Sequence, residues 1–199
     1  MSQLLIELVQ RKFSDAVTSS YSEHGDETVV IAATHWLALG QFLRDDPACD
    51  MALLVDLTAV DYPQQEPRFE VVAHLASLTL GHRLRTKARV GRGDGSRAEI
   101  DSWSGLWGSA NWAERECFDM FGIDFVGHPD LRRILLYPEF VGHPLRRDYP
   151  AQRIQPLVPF RDVDNIEKLP PFGPTEGMSF GRQTHNQWLA PEATGDDEL

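Results

Sequence analysis

The chain has 199 residues, 42% hydrophobic and 25% charged, and a formal net charge of -11. That composition describes a folded domain with a real core and room for an appendage, and a balance this acidic excludes nucleic acid as the main ligand. The two cysteines, Cys49 and Cys117, form no CxxC pattern; this excludes a disulfide scaffold and, because an iron–sulfur cluster takes about four thiolates, a cluster held by this chain alone.

Residues 4–9 are too short for a signal peptide and are interrupted by Glu7. The longest uncharged run, 28–43, contains His35, Gly40 and Gln41 and falls short of the ~20 apolar residues of a membrane helix. The expectation is a reducing, cytosolic compartment and no membrane span in this chain.

In chain order, Leu4, Leu5, Leu8 and Val9 recur at helical spacing, predicting a helix over 2–12. A β-branched strand follows at 28–32. Thr34 is then read as the cap of a second helix, with Leu37, Phe42 and Leu43 toward a core and an end near Asp46-Pro47. Strands are expected over 51–60 and 69–80. From 83 to 90, Arg83, Arg85, Lys87 and Arg89 alternate with Leu84, Thr86, Ala88 and Val90, the period-two pattern of a strand with one wet face. The glycine-rich run 91–95 reads as a turn; it is no nucleotide fingerprint, and its Arg92-Gly93-Asp94 reads as plain exposed turn rather than adhesion motif.

Asn111 is read as the cap of a third helix, with Glu114 reaching back as in a capping box and Arg115 pairing with Asp119 one turn on. Ala113, Cys117, Met120 and Phe121 share a core face, and Gly122 supplies the stop. Glu114, Arg115 and Glu116 therefore have two readings, helix-end chemistry or contact with a partner.

Beyond the helix a phrase repeats. Gly127-His128-Pro129-Asp130-Leu131-Arg132-Arg133 returns as Gly142-His143-Pro144-Leu145-Arg146-Arg147, followed by Asp148. Residues 131–161 hold two acidic side chains and six arginines in an otherwise acidic chain. Metal site, anion pocket and docking surface are the three candidates. His128 and His143 lack further ligands at a recognisable spacing, so a structural role in a turn is the simpler reading. The arginine pairs suit multidentate contact with a partner's carboxylates or carbonyls, with solvated side chains as the bland alternative. After residue 150 periodic apolar runs disappear, and seven of the thirteen prolines fall in 150–199. Phe160, Phe172, Phe180 and Trp188 are spaced through that tail as anchors for another protein's pockets.

The stretch ANWAERECFDMFGIDFVGHPDLRRILL, followed by GHPLRRDYP, closely resembles the hallmark region of the 30-kDa subunit family of respiratory complex I, the bacterial C subunit. LLVDLTAVDYP and RFEVVAHLASL resemble that family's central strands. The resemblance covers most of residues 50–150. It implies an α/β (α+β) domain over 1–150, with a small mixed sheet flanked by helices, and an extended Pro-rich tail over 151–199 that embraces the large quinone-module subunit. It implies no catalytic, cofactor or metal residue here. FMN, iron–sulfur clusters, NADH and quinone would belong to other hydrophilic-arm subunits of a proton-translocating complex. The partner interface is expected at Glu114, Arg115, Glu116, His128, Arg132, Arg133, His143, Arg146, Arg147, Asp148, Phe160, Phe172, Phe180 and Trp188. The lack of a transit-type leader places the expected complex on the cytoplasmic face of a bacterial inner membrane. The equivalent subunit of a membrane-bound hydrogenase or other-donor complex, and a free-standing enzyme with an arginine-lined anion site, are the rival readings.

Overall fold

The computed structural model describes residues 3–91 and 97–156. Helix α1 (Gln3–Lys12) leads into a hairpin of β1 (Val17–Glu23) and β2 (Asp26–Ile31). Its two-residue loop, His24-Gly25, has positive φ at both positions, the turn that matches the twist of paired strands. A single 3-10 turn (Ala33–His35) precedes α2 (Trp36–Asp45). Thr34 lies inside that turn and does not cap the helix; the capping position is His35, whose side chain makes no capping bond. Three strands follow, β3 (Leu53–Asp61), β4 (Phe69–Ala76) and β5 (Arg83–Val90). The last part of the chain runs through β6 (Ala98–Asp101), α3 (Ala110–Phe121) and β7 (Ile123–Val126).

The larger sheet has the order β1-β2-β5-β4-β3, antiparallel except for the parallel pair β2–β5, so it is a mixed sheet as expected. β6 and β7 form a separate two-stranded parallel sheet. Alternation puts Phe69, Val71, Ala73 and Leu75 of β4 and Leu84, Ala88 and Val90 of β5 in the core. Leu5 and Val9 of α1 and Trp36, Leu39 and Leu43 of α2 belong to the same core. The opposite face carries the expected basic row, with Lys87 2.9 Å and Arg89 3.5 Å from Glu70.

A tryptophan cluster joins the smaller sheet to this core. Trp103 stacks on Trp36 with ring centroids 4.1 Å apart, and donates through its indole N–H to the Trp36 carbonyl. Trp107 donates likewise to Met51. Gly40 makes the approach possible, since a Cβ there would lie 2.7 Å from the Trp103 ring.

Helix α3 packs along β3, the sheet's edge strand. The Cys117 thiol and the Ser109 hydroxyl donate to the carbonyls of Leu57 and Leu54, occupying two acceptors of an edge that could otherwise pair with foreign chains. The helix begins two residues earlier than expected, and Ser109, not Asn111, is its N-terminal flanking residue. Gly122, at φ +73°, ends it in the left-handed conformation, as expected.

Candidate functional site

Residues 127–156, called the strap below, contain no helix or strand, yet they are firmly tied to α3. Each copy of the repeated phrase opens on a glycine of positive φ, Gly127 at +85° and Gly142 at +96°, which turns the chain back toward the helix. The two histidines then take opposite ends of α3. His128 accepts from the Asp130 amide through Nδ1, so its Nε2 carries the proton and donates to the Asn111 carbonyl at 3.1 Å. His143 Nδ1 donates to the Asp119 carbonyl at 3.0 Å. The two copies of the phrase thus hold the helix at both ends.

Asp119 is the centre of this arrangement. Its side chain is fully buried in the last turn of α3, where the helix dipole disfavours an anion. Three amides of the strap compensate: Ile134, Leu135 and Leu136 all donate to Oδ2, at 3.1, 2.9 and 2.9 Å. Arg133 adds a 2.6 Å ion pair to Oδ1, and its other guanidinium nitrogen donates to the carbonyls of Phe140 and Gly142. Burial pushes this carboxyl upward, but the Leu136 amide, the Arg133 guanidinium and the two other amides outweigh it and hold the group below the usual carboxylate range.

A second clasp joins the strap to the sheet. Arg68, buried at the start of β4, grips Asp61 at the end of β3 through two bonds of 2.6 and 2.8 Å. It also grips Asp148 through two bonds of 2.8 and 3.0 Å. The Arg147 amide donates to Asp61 as well, so one guanidinium holds both carboxylates and the strap backbone shares one of them. Its hydrogen bonds to Asp61 and Asp148 raise the Arg68 pKa further. Arg146 reaches the α3 terminus, donating to the carbonyls of Phe121 and Gly122, and lies over the Phe69 ring from the strap side.

Glu114 stands apart. It is fully buried, with no ion pair to a cation among the described residues, accepting from the Ser102 hydroxyl at 2.5 Å and the Trp103 amide at 2.6 Å. Burial pushes its pKa up to about 7 against those two bonds. It fixes the loop that carries Trp103, not the start of its own helix as the capping-box reading holds.

The expected interface residues thus divide. Arg133 and Arg146 turn inward onto this chain's own acceptors, contrary to the reading in which both members of each pair project outward. Arg115 does not pair with Asp119; it donates to the carbonyls of Arg132 and Arg133 and lies over the Trp112 ring. Glu116, Arg132, Arg147 and Asp148 are exposed, with Arg132 paired to Asp130. Phe160, Phe172, Phe180 and Trp188 lie outside the described residues. Sequence reasoning missed Arg68 and Asp61; the one signal was a charged residue at each flank of a strongly apolar strand pair. Among the described residues, no three His, Cys, Asp or Glu side chains are grouped to hold a metal ion.

The sequence profile of the respiratory-chain NADH dehydrogenase 30 Kd subunit family matches residues 29–155, the whole of the sheet from β2 onward, α3 and the strap. The chain belongs to that family. The C subunit of NADH-quinone oxidoreductase from Ruegeria sp. (strain TM1040) is 45% identical over 183 residues, covering 86% of this chain and 89% of the relative. The same subunit of Citrifermentans bemidjiense is 46% identical over 144 residues, covering 72% and 86%. Among solved structures, a chain of the membrane-bound sulfane sulfur reductase, an archaeal respiratory membrane complex, superposes with a TM-score of 0.62. That match covers 75% of this chain and 86% of the other, at 24% identity, and shows a shared fold. This chain is thus a 30-kDa-type subunit of an NADH-quinone oxidoreductase, and other subunits of a respiratory complex are its partners.

Proposed function

We propose that this chain is a non-catalytic docking subunit, seated through its strap on the large quinone-module subunit at the cytoplasmic face of a bacterial inner membrane. Flavin and iron–sulfur clusters sit in other subunits, and the assembled complex passes electrons from NADH to quinone while translocating protons. One observation carries the docking role. The strap is clamped from within by two buried charge clusters, yet it leaves Leu135, Val141, Leu145 and Ile154 in solvent. Such large aliphatics on a rigid support form the centre of an interface rather than a finished surface. Among the described residues no helix is long and apolar enough to cross a membrane, so the attachment proposed is to protein. Relatives at 45 and 46% identity are NADH-quinone oxidoreductase subunits, which favours this donor over a hydrogenase or other-donor complex.

The test is purification of a tagged chain from native membranes. The expected result is co-purification with the other oxidoreductase subunits and NADH:quinone activity in the assembly, while the chain expressed alone is colourless and inactive with NADH and quinone. Stoichiometric flavin or iron in the isolated, reconstituted chain overturns the proposal.

A further inference from the structure

The strap's cations sort by what answers them. Arg133 is paired with Asp119 and Arg132 with Asp130, while Arg146 is turned onto the carbonyls that end α3. Arg147 and Arg153 are both exposed, and neither guanidinium meets a carboxylate among the described residues. Asp148, the acid next to Arg147, is already held by Arg68.

Their surroundings are ordered. The side-chain amide of Gln155 both accepts from the Val141 amide and donates to the Val141 carbonyl, so Gln155 docks on the backbone of Val141. The same Gln155 bonds the Tyr149 hydroxyl, and the Tyr137 hydroxyl donates to the Pro156 carbonyl. Phe140 stacks on Tyr149 beneath this layer. On the layer, Val141 and Leu145 are about half exposed and Ile154 is 93% exposed. An isoleucine displayed so fully adjoins Arg153 directly, on a segment whose next residue, Gln155, is pinned to Val141.

Resting on the docking reading above, we infer that Val141, Leu145, Arg147, Arg153 and Ile154 form one contact surface for an acidic segment of the partner subunit, one that places Asp or Glu carboxylates against Arg147 and Arg153 and an apolar side chain against Ile154. Charge complementarity identifies the occupant. The chain carries -11 overall, so an acidic partner segment is repelled by most of this surface and attracted at the strap, which orients the encounter as well as holding it. Arginine forks match carboxylates bidentately, and the aliphatic rim excludes the water that would weaken those bonds.

The experiment uses the full-length chain in its native membranes. In an Arg147→Lys/Arg153→Lys variant, charge is kept and amines are supplied that a carbodiimide joins directly to touching carboxylates. The expected result is cross-links from positions 147 and 153 to Asp or Glu of one co-purified oxidoreductase subunit. An Arg147→Glu/Arg153→Glu variant and, separately, an Ile154→Asp variant are each expected to lower recovery of that subunit at least tenfold, with thermal unfolding of the isolated chain unchanged. Ile154 touches nothing that folding needs, so its variant stays readable if the double charge reversal unfolds. Wild-type chain that recovers no oxidoreductase subunits sinks the docking reading itself. Wild-type recovery with undiminished recovery by the variants, or cross-links only within the chain, sinks this surface alone. Binding to vesicles containing phosphatidylglycerol, lost in the charge-reversed variant while subunit recovery stays normal, assigns the surface to lipid and also overturns the proposal.

Discussion

Asp119 shows how a residue's neighbours change its meaning. In sequence it reads as the i+4 partner of Arg115; in the fold, three strap amides and Arg133 reach it from residues 133–136. Asp119→Ala strips the charge from a buried ion pair and orphans those amides, so a loss of ~3–5 kcal/mol is expected in urea unfolding of the isolated chain. Arg132→Ala, at an exposed pair with Asp130, is expected to change it by no more than about 0.5 kcal/mol. Glu114 gives a pH signature of the opposite sign. Its folded pKa, about 7, exceeds the usual 4.5, so between these values the folded state binds more protons than the unfolded one and stability falls as pH rises. The effect is on the order of 3 kcal/mol by pH 7.5. His143, whose pKa is lowered by burial, works against this slope by charging as pH falls. Comparing urea midpoints at pH 5 and 7.5 for the wild type and Glu114→Gln isolates the carboxyl; the variant should lose less stability on going to pH 7.5. Neither buried acid was legible from one chain, because an acid in a helix looks the same whether it faces water or a loop.

Among the elements, α3 carries the most consequence, since β3 lies on one side of it and the strap on the other. Gly122 closes it where both clasps meet: a Cβ at this position would lie 2.5 Å from the His143 ring and 2.7 Å from the Arg146 guanidinium. Gly122→Ala therefore combines the left-handed backbone cost of roughly 1 kcal/mol with displacement of two strap side chains. Faster protease cleavage within 127–150, with the β4 and β5 amides still protected from hydrogen exchange, is the expected outcome; uniform loss of protection would show that the strap and sheet unfold together. Strands β3, β4 and β5 and all three helices were legible because their apolar residues keep a clear period. β1, VTSSYSE, offers no buried face to read, and β6 and β7, at four residues each, are too short for alternation to register. Strand β4 ends at Ala76 rather than 80, since residues 77–80 curl into the turn to β5.

At the scale of the whole molecule, the strap is continuous with the fold through residue 156, because Tyr137 and Val141 bond Pro156 and Gln155. Truncation after residue 156 is expected to preserve a single cooperative unfolding transition while reducing recovery of the other oxidoreductase subunits. Truncation after 150 removes Gln155 and should loosen 137–149 as well. Calorimetry of both lengths, beside subunit recovery from membranes, checks this. The basic character of the strap was legible in the charge count. Its division into inward and outward arginines was not, since it depends on Asp119 and on a carbonyl-rich helix end that only the folded chain brings near.

The Arg68–Asp148 pair spans 80 positions of sequence, and that distance sets a timetable. During synthesis β3 and β4 leave the ribosome long before the strap, and Arg68 waits with only Asp61 to hold it. Closing so large a loop is entropically slow unless the receiving groups are already in place. The strap's second clasp therefore depends on the sheet: it has its full set of partners only where β3 and β4 bring Asp61 and Arg68 to the same point. A copy whose sheet is faulty leaves Asp148 without Arg68, and the strap without its second clasp.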